Sequence, residues 1–302
     1  MADGLLPFKL IYHEGYDLNL GSHVFPARKY RLIRERLLLE EFASEADFEP
    51  PEPIPEEDLL LVHSRRWVQA LKNGTLSYEE ILQLEIPYSQ QMVKGFWLAA
   101  GGTKLAALHA LGDRIGFNIG GGFHHAFPDH GEGFCAIHDV AVAIRALQRD
   151  GRIGRALIVD CDVHHGNGTA AIFAGDPSVF TLSLHQFANY PHVKPSSTLD
   201  IHLADGVGDR EYLDKLGSAY RKIVADFQPS MIFYVAGADP YQEDQLGGLM
   251  LTLEGLKQRD ALIFDADVPV VVTLAGGYAE NTDDTVTIHC NTVKAARASL
   301  KV

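Results

Sequence analysis

Short, almost uninterrupted runs of apolar residues recur along the chain and predict buried β-strands. The runs lie at residues 8–12, 59–63, 115–119, 156–160, 179–184, 231–236 and 268–274. Continuous apolar runs of this length are typical of parallel strands, because helices cover both faces of such a sheet. The pattern therefore favours a mainly parallel sheet.

Helical spacing appears between these runs. In DREYLDKLGSAYRKIVADFQ, residues 209–228, apolar side chains recur every three or four positions and share one helix face. IHDVAVAIRALQRDG, residues 137–151, ends at Gly151, a residue type that often follows the last helical turn. Strands that alternate with helices predict an α/β fold, a predominantly parallel sheet flanked by helices.

The acidic, proline-rich segment FEPPEPIPEEDLL, residues 48–60, is predicted to be a surface loop, since an apolar run follows at once. We therefore expect one domain over residues 1–302. With 46% hydrophobic residues, the chain can bury a large core. No apolar run approaches the roughly 18 residues that a membrane span needs, and residues 1–16 do not have the pattern of a signal peptide.

Cysteine content and net charge limit the predicted cellular location and the classes of binding partner. Cys135, Cys161 and Cys290 are too few and too scattered for a disulfide framework, so a reducing cytoplasm is the predicted location. The formal net charge of −14 argues against a nucleic-acid-binding surface or an anionic-lipid anchor. It suits a basic partner such as a lysine-bearing protein or a polyamine, but many soluble proteins are simply acidic.

Ionisable residues are concentrated where the predicted strands end, the edge at which open parallel sheets bind ligands. Four segments stand out: GGGFHH (120–125), DCDVHHGNG (160–168), AGADP (236–240) and LAGGYA (274–279). In the second segment, the alternation of a strand would turn Asp160, Asp162 and His164 to one side. Carboxylates and an imidazole crowded on one buried face need a partner, and zinc or iron binds both ligand types.

Asp239 closes another apolar run just before Pro240 and is the best third ligand, although a lone aspartate there more often caps a turn. A set of Asp162, His164 and Asp239 leaves coordination positions open, which is typical of a catalytic metal.

The histidine pair of GGGFHH has two interpretations: metal ligands, or a hydrogen-bonded core pair. Asp160 and Asn167 are natural partners that would orient His124 and His125. Tyr278 also has two interpretations, since a phenol at a strand end either donates a hydrogen bond to an oxyanion or packs in the core.

Together these segments resemble the histone deacetylase superfamily, which has the arginase-deacetylase fold. GGGFHH, DHGEGFC, DCDVHHGNGT, GADPYQEDQLGGL and LAGGY occur in the family's order and at comparable spacing, and HVFPARKY and AAGGT add weaker matches. The resemblance covers essentially the whole chain. GGGFHH with DxGxGFC, and asparagine at position 167, are most similar to the class IV branch and its bacterial relatives.

The resemblance implies a metal-dependent lysine deacylase and assigns roles to matching positions. Asp162, His164 and Asp239 would bind zinc, with iron as the alternative. His125 would help to activate water and would then protonate the leaving amine. His124, paired with Asp160, would support the proton transfer.

The remaining implied roles concern the oxyanion, the substrate and a second ion. Tyr278 would hold the oxyanion together with the metal. A narrow tunnel for the lysine stem would be lined by Gly133, Phe134, Tyr190 and Leu246. A structural potassium ion would be held by Asp160, Asp162, His164, Ser183 and Leu184.

Two departures from the family pattern have consequences. Asn167 stands where some members have aspartate, so His125 is expected to be less basic than in those members. LEIPYSQQ offers only Glu85 at the place of a substrate-clamping acid in other classes, and Glu85 is not assigned that role.

The predicted partner is an acylated lysine of a protein or peptide, with neither nucleic acid nor membrane as a direct partner. One alternative is a deacetylase of small amides such as acetylpolyamines, which would use the same site. Another is a non-catalytic acyl-lysine-binding scaffold, against which the presence of Tyr278 argues. Arginase-like chemistry would need a second set of metal ligands, and none is apparent in the sequence.

Overall fold

The fold is an eight-stranded parallel sheet flanked by helices, described over residues 4–300 by a computed structural model. The strands are β1 (Leu10–Ile11), β2 (Phe48–Glu49), β3 (Ile115–Asn118), β4 (Ala156–Asp160), β5 (Val179–Gln186), β6 (Leu199–Leu203), β7 (Met231–Val235) and β8 (Val270–Thr273). The helices are α1 (Lys29–Leu39), α2 (Glu56–Leu59), α3 (Arg65–Asn73), α4 (Tyr78–Leu84), α5 (Gln90–Asp113), α6 (Asp139–Arg149), α7 (Asn167–Ile172), α8 (Asp209–Phe227), α9 (Leu253–Phe264) and α10 (Thr282–Ser299).

The strands lie in the order β2-β1-β3-β8-β7-β4-β5-β6, and every pairing between them is parallel. The predicted single-domain α/β fold with a predominantly parallel sheet is therefore confirmed. The predicted domain, residues 1–302, extends beyond the described residues at both ends, by residues 1–3 and 301–302.

The two faces of the central strands contribute to two separate parts of the core. In β4, Leu157 and Val159 pack in the larger cluster, whereas Ala156 and Ile158 pack in the smaller one on the opposite face. Because both faces are covered, every residue of β4 is buried. This is the physical origin of the uninterrupted apolar run, and it explains why the predicted bounds of this strand are those observed.

The prediction of a strand at residues 59–63 is wrong. Leu59 ends α2, residues 60–63 form a turn, and α3 follows with Ser64 as its N-cap, where the Ser64 hydroxyl accepts a hydrogen bond from Trp67 N. The apolar residues here pack against the core from short helices, so their burial is not that of a strand.

Two edge strands lack the apolar run that identifies the others. β6 is only partly buried along most of its length, since it closes one edge of the sheet. β2 begins the segment 48–60, which is not simply a surface loop: Ile54 is buried, and its N–H donates to Trp97 O of α5 at 3.0 Å. Within residues 4–300, no helix is both long and apolar enough to cross a membrane.

Candidate active site

The four segments rich in ionisable residues meet at one edge of the sheet. They follow β3, β4, β7 and β8, which are adjacent in the order β3-β8-β7-β4. Because all four strands run in the same direction, their carboxyl ends open on the same side.

Asp162, His164 and Asp239 form a buried group of metal-ligand type, and one donor atom from each lies within 4.8 Å of the others. His164 Nδ1 is 2.9 Å from Asp162 Oδ1 and 3.6 Å from Asp239 Oδ2. β4 ends at Asp160, so Asp162 and His164 converge through a turn and not through the strand alternation that suggested their proximity.

The residues of this group fit a divalent cation. Asp239 Oδ1 accepts a hydrogen bond from Val163 N at 2.8 Å, but Asp239 Oδ2 is buried and has no hydrogen-bond partner among the described residues. A Cβ atom at Gly276 would lie 1.9 Å from Asp239 Oδ2 and 2.6 Å from Asp162 Oδ2. Glycine therefore keeps the space beside both oxygens open, and a donor set of two carboxylates and one imidazole suits zinc or iron.

The charges of this group are strongly perturbed. Burial lowers the pKa of His164, but Asp162 and Asp239 outweigh burial and raise it to about 10. Burial and the neighbouring Asp162 carboxylate raise the pKa of Asp239. Without a cation, the imidazole therefore carries a proton that partly balances the two carboxylates.

Zinc binding is expected to release this proton, because a metal ligand must be a neutral imidazole. At pH 7.5 we expect release of about one proton per site, and about tenfold weaker affinity for each unit by which the pH is lowered. The loss should become steeper below about pH 7, where Asp239, whose pKa is about 7, also binds a proton. Calorimetric titration with zinc in two buffers of different ionisation enthalpy measures the released protons. Equal binding heats in both buffers would contradict the expectation.

The two histidines of GGGFHH are oriented by different partners. His124 Nδ1 lies 2.6 Å from Asp160 Oδ2, and His125 Nδ1 lies 2.7 Å from Asn167 Oδ1. Their ring centroids are 4.1 Å apart, and both side chains are buried. His125 also faces His164, with ring centroids 6.1 Å apart. The pair therefore lies against the metal-ligand group and is not part of it.

Their surroundings separate the protonation states of the two rings. At His124, burial lowers the pKa, but Asp160 and Asp162 outweigh it and raise the pKa to about 9. At His125, burial and then the charge of His124 lower the pKa well below its ordinary value. One neutral and one charged imidazole side by side are what a base and its electrostatic partner require.

Tyr278 follows β8, and its ring lies 6.4 Å from the His164 ring. Burial, followed by the charges of Asp162 and Asp239, raises its pKa well above the ordinary value. The phenol therefore keeps its proton and is a hydrogen-bond donor at neutral pH.

A narrow cavity of about 190 Å³ leads from the surface to these groups. Its lining consists of Glu85, His125, Gly133, Phe134, His164, Asn189, Tyr190, Leu246 and Tyr278. Gly133 has φ +53°, and a Cβ atom there would lie 2.7 Å from His125 Cδ2 and 2.8 Å from Tyr190 Cε1. The four residues predicted for a tunnel thus surround one channel, and glycine at position 133 keeps it open.

A much smaller cavity of about 20 Å³ adjoins this channel and shares His125, Gly133, Phe134, His164 and Tyr278 with its lining. Phe25, Phe123, Phe134 and Cys135 contribute to its wall, together with the site histidines and Tyr278. Its volume is close to that of one water molecule or one methyl group.

Residues 23–293 match the family model described as the histone deacetylase domain. The chain belongs to the histone deacetylase family. The resemblance inferred from the sequence motifs is thereby confirmed.

Several relatives of this histone deacetylase family member cover most of its length. It is 39% identical over 296 residues to an uncharacterized protein of Picosynechococcus, covering 96% of this chain and 98% of that protein. It is 32% identical to a probable deacetylase of Methanothermobacter thermautotrophicus (89% and 85% covered) and 30% identical to histone deacetylase 2 of Arabidopsis thaliana (90% and 75% covered). The crystal structure of the HDA15 HD domain matches with a TM-score of 0.84 at 26% identity, covering 97% of this chain and 91% of that chain.

Two buried aspartates support the histone deacetylase site and were missed by sequence reasoning. Asp139 accepts hydrogen bonds from Gly122 N at 3.0 Å and Phe123 N at 2.9 Å, and it thereby holds the loop that carries the histidine pair. Asp244 Oδ2 accepts from Tyr278 N at 2.6 Å. Asp244 lies in the recognised motif GADPYQEDQLGGL, and Asp139 lies in the predicted helical segment IHDVAVAIRALQRDG, but nothing local indicates that their carboxylates are buried.

Lys29 was also missed, although it lies in HVFPARKY. It is fully buried, its Nζ donates to Ala275 O at 2.6 Å, and Nζ lies 5.9 Å from the ring centroid of Tyr278. Burial lowers its pKa to about 8, against the opposing effect of Asp239 and Asp162. A second cationic group therefore lies behind the two carboxylates.

Three of the five residues expected to hold potassium lie on adjacent strands. Asp160 pairs with Ser183 in the register of β4 and β5, and Leu184 follows Ser183. Asp160 Oδ1 also accepts from Asp162 N at 3.1 Å. The other two, Asp162 and His164, belong to the turn that follows β4 and to the metal-ligand group.

A second group of metal-ligand type, His165, His185 and Asp200, occurs in the described part of the chain. Its members are engaged in hydrogen bonds: His165 Nε2 lies 3.1 Å from Asp200 Oδ1, and His185 lies 2.9 Å from both Ser183 Oγ and His202 Nδ1. It shares no residue with the first group.

Proposed function

We propose that the protein is a zinc-dependent amidohydrolase that removes acetyl groups from the side-chain amine of lysine in proteins or peptides. One observation supports this most strongly: metal-ligand residues, a neutral histidine and a protonated tyrosine meet at the inner end of a narrow channel. The channel fits an unbranched stem, and its end presents the groups that amide hydrolysis requires.

Each group has a task in the proposed reaction. Zinc bound by Asp162, His164 and Asp239, with iron as the alternative, would polarise the amide carbonyl and make water more acidic. His125 takes a proton from the attacking water at Nε2, because its Nδ1 is engaged with Asn167. The same nitrogen then returns the proton to the leaving lysine amine.

The neighbouring residues stabilise charge and position the substrate. Tyr278 donates a hydrogen bond to the oxygen that becomes negative, while His124, charged and paired with Asp160, favours negative charge nearby. Phe134 and Leu246 enclose the lysine methylenes. We also propose a structural potassium ion beside Asp160 and Ser183, and a cytoplasmic location.

We expect acetyl-lysine to be the preferred substrate, because the cavity that adjoins the channel beside the metal-ligand residues measures only about 20 Å³. It has room for a methyl group, and forcing extra methylenes into a packed interior costs about 1–3 kcal/mol. The acetyl peptide should therefore exceed the hexanoyl and decanoyl peptides in kcat/KM by about tenfold or more. Equal or faster turnover of the longer acyl peptides would contradict the prediction and show that the wall of this cavity moves to admit them.

The first experiment is hydrolysis of one lysine peptide bearing acetyl, hexanoyl, decanoyl or myristoyl by the zinc-loaded protein. Acetylspermidine is assayed alongside, and Tyr278→Phe serves as the catalytic control. Peptide turnover that the control loses supports the proposal. Turnover of acetylspermidine alone would assign the site to small amides, and no turnover despite bound zinc would refute hydrolysis and favour a binding role.

A further inference from the structure

The side-chain amide of Asn167 makes two hydrogen bonds, one to His125 through its oxygen and one to Glu132 through its nitrogen. Asn167 Oδ1 is 2.7 Å from His125 Nδ1, and Asn167 Nδ2 donates to Glu132 Oε1 at 2.6 Å. Asn167 is only 2% exposed and is the first residue of α7. A third group, the Tyr190 hydroxyl, donates to the same Glu132 oxygen at 3.1 Å.

We propose that Glu132 is a positioning residue that selects the reactive tautomer of His125 through the amide of Asn167. An ionised carboxylate only accepts hydrogen bonds, so Glu132 requires the Nδ2 end of the amide. The Oδ1 end must then face His125, which places the proton on Nδ1 and leaves Nε2 free as the base. With the amide turned round, Nδ2 would donate to Nδ1, and the proton would occupy Nε2.

Glu132 is itself held in place from several directions. Its backbone N–H donates to Cys135 O at 3.1 Å, and Cys135 N donates to Glu132 O at 2.9 Å. This turn also carries two residues of the tunnel wall, Gly133 and Phe134. Burial disfavours the ionised form, but His130, 3.8 Å away, and the hydrogen bonds from Asn167 and Tyr190 outweigh it and lower the pKa of Glu132 below its ordinary value. The acceptor is therefore both fixed and ionised at neutral pH.

This arrangement changes the expected effect of asparagine at position 167 on His125. The sequence suggested that His125 lacks the carboxylate that some family members place there. In the structure a carboxylate is present one side chain further away, and the amide connects it to the imidazole. In Asn167→Asp, a carboxylate oxygen would replace Asn167 Nδ2, which lies 2.6 Å from Glu132 Oε1. Two carboxylates this close cannot both be ionised.

The test uses four proteins: the wild type, Glu132→Gln, Asn167→Asp and the double variant. Asn167→Asp is expected to lower the Tm of the metal-free protein by about 5 °C. Glu132→Gln should stay within about 2 °C, because the glutamine oxygen still accepts from Asn167. The double variant should return to within about 2 °C of Glu132→Gln, since its glutamine amide can donate to its aspartate carboxylate and re-form the bond in the opposite direction.

Turnover should follow the same order, and this part alone depends on the proposed function. Asn167→Asp should lose about tenfold in kcat, and the double variant should recover to within about threefold of Glu132→Gln. Additive losses in the two single variants, or an Asn167→Asp protein as stable as the wild type, would overturn the proposal. If no variant hydrolyses acyl-lysine, the Tm values still decide the role of Glu132.

A direct readout of the tautomer separates positioning from a merely structural contact. In metal-free protein with ¹⁵N-labelled histidine, the wild type and Glu132→Gln should show His125 protonated at Nδ1. Glu132→Leu, which offers no acceptor, should show an additional population protonated at Nε2. An unchanged Nδ1 tautomer in Glu132→Leu would contradict the proposal even if its Tm were lowered.

Discussion

Asp239→Asn is expected to remove zinc binding and, at the same time, to leave the metal-free protein as stable as the wild type or more so. The new amide keeps an oxygen for the hydrogen bond from Val163 N, and its NH2 group replaces the buried oxygen that has no partner. Removing the charge also relieves the repulsion from Asp162 that raises the pKa of Asp239. Zinc affinity should fall more than about a hundredfold, and the metal-free Tm should rise by about 2–4 °C.

Metal content by mass spectrometry after dialysis and the Tm of the chelator-treated protein measure the two effects. Asp244→Asn is the matched control, because Asp244 is also buried near the site but accepts bonds from backbone N–H groups of Leu246 and Tyr278. It should keep its zinc and lose about 1–3 kcal/mol of stability. An Asp239→Asn protein that retained one zinc per chain would exclude Asp239 as a ligand, and one destabilised like the control would refute the expected gain in stability.

Tyr278→Phe should lower kcat by about 100- to 1000-fold, the usual loss when one donor to an oxyanion is removed. KM should change little, because the phenol donates chiefly to charge that develops during the reaction. The fold should be unaffected, since the aromatic ring keeps its contacts with Phe25 and Phe134 and the backbone keeps its bond to Asp244. Steady-state kinetics on the acetyl-lysine peptide and the Tm of both proteins check these three expectations.

Tyr190→Phe is the matched control for this effect. Tyr190 also lines the tunnel, but its hydroxyl donates to Glu132 and not toward the metal-ligand group. Its loss should cost less than about tenfold in kcat. Comparable losses in the two variants would mean that the effect is not specific to the Tyr278 hydroxyl, and Tyr278 would lose its assignment as the oxyanion donor.

The sequence was most informative where burial leaves a periodic or continuous pattern. β4 and α8 have the predicted positions, because one is covered on both faces and the other on one. The candidate metal-ligand residues were singled out because carboxylates and imidazoles directly after apolar strands are unusual. The reason given for the proximity of Asp162 and His164 was nevertheless wrong, since the strand ends before them.

What the sequence did not reveal depends on contacts between distant parts of the chain. Asp139 reaches Gly122 across another loop, and Lys29 reaches Ala275 across most of the sequence. The contact between Asn167 and Glu132 is of the same kind. A buried charge has no periodicity, and its sequence neighbours do not show which backbone groups will face it.

The position of β7 between β4 and β8 has a consequence for how the protein would acquire the proposed zinc. A nascent chain that has emerged as far as β5 carries Asp162 and His164 but neither Asp239 nor Tyr278. Because synthesis proceeds from the N-terminus, the three-ligand group can form only after β7 inserts beside β4. Capture of zinc by all three residues would therefore follow the pairing of β7 with β4, and a zinc-loaded molecule would be one in which these central strands have already assembled.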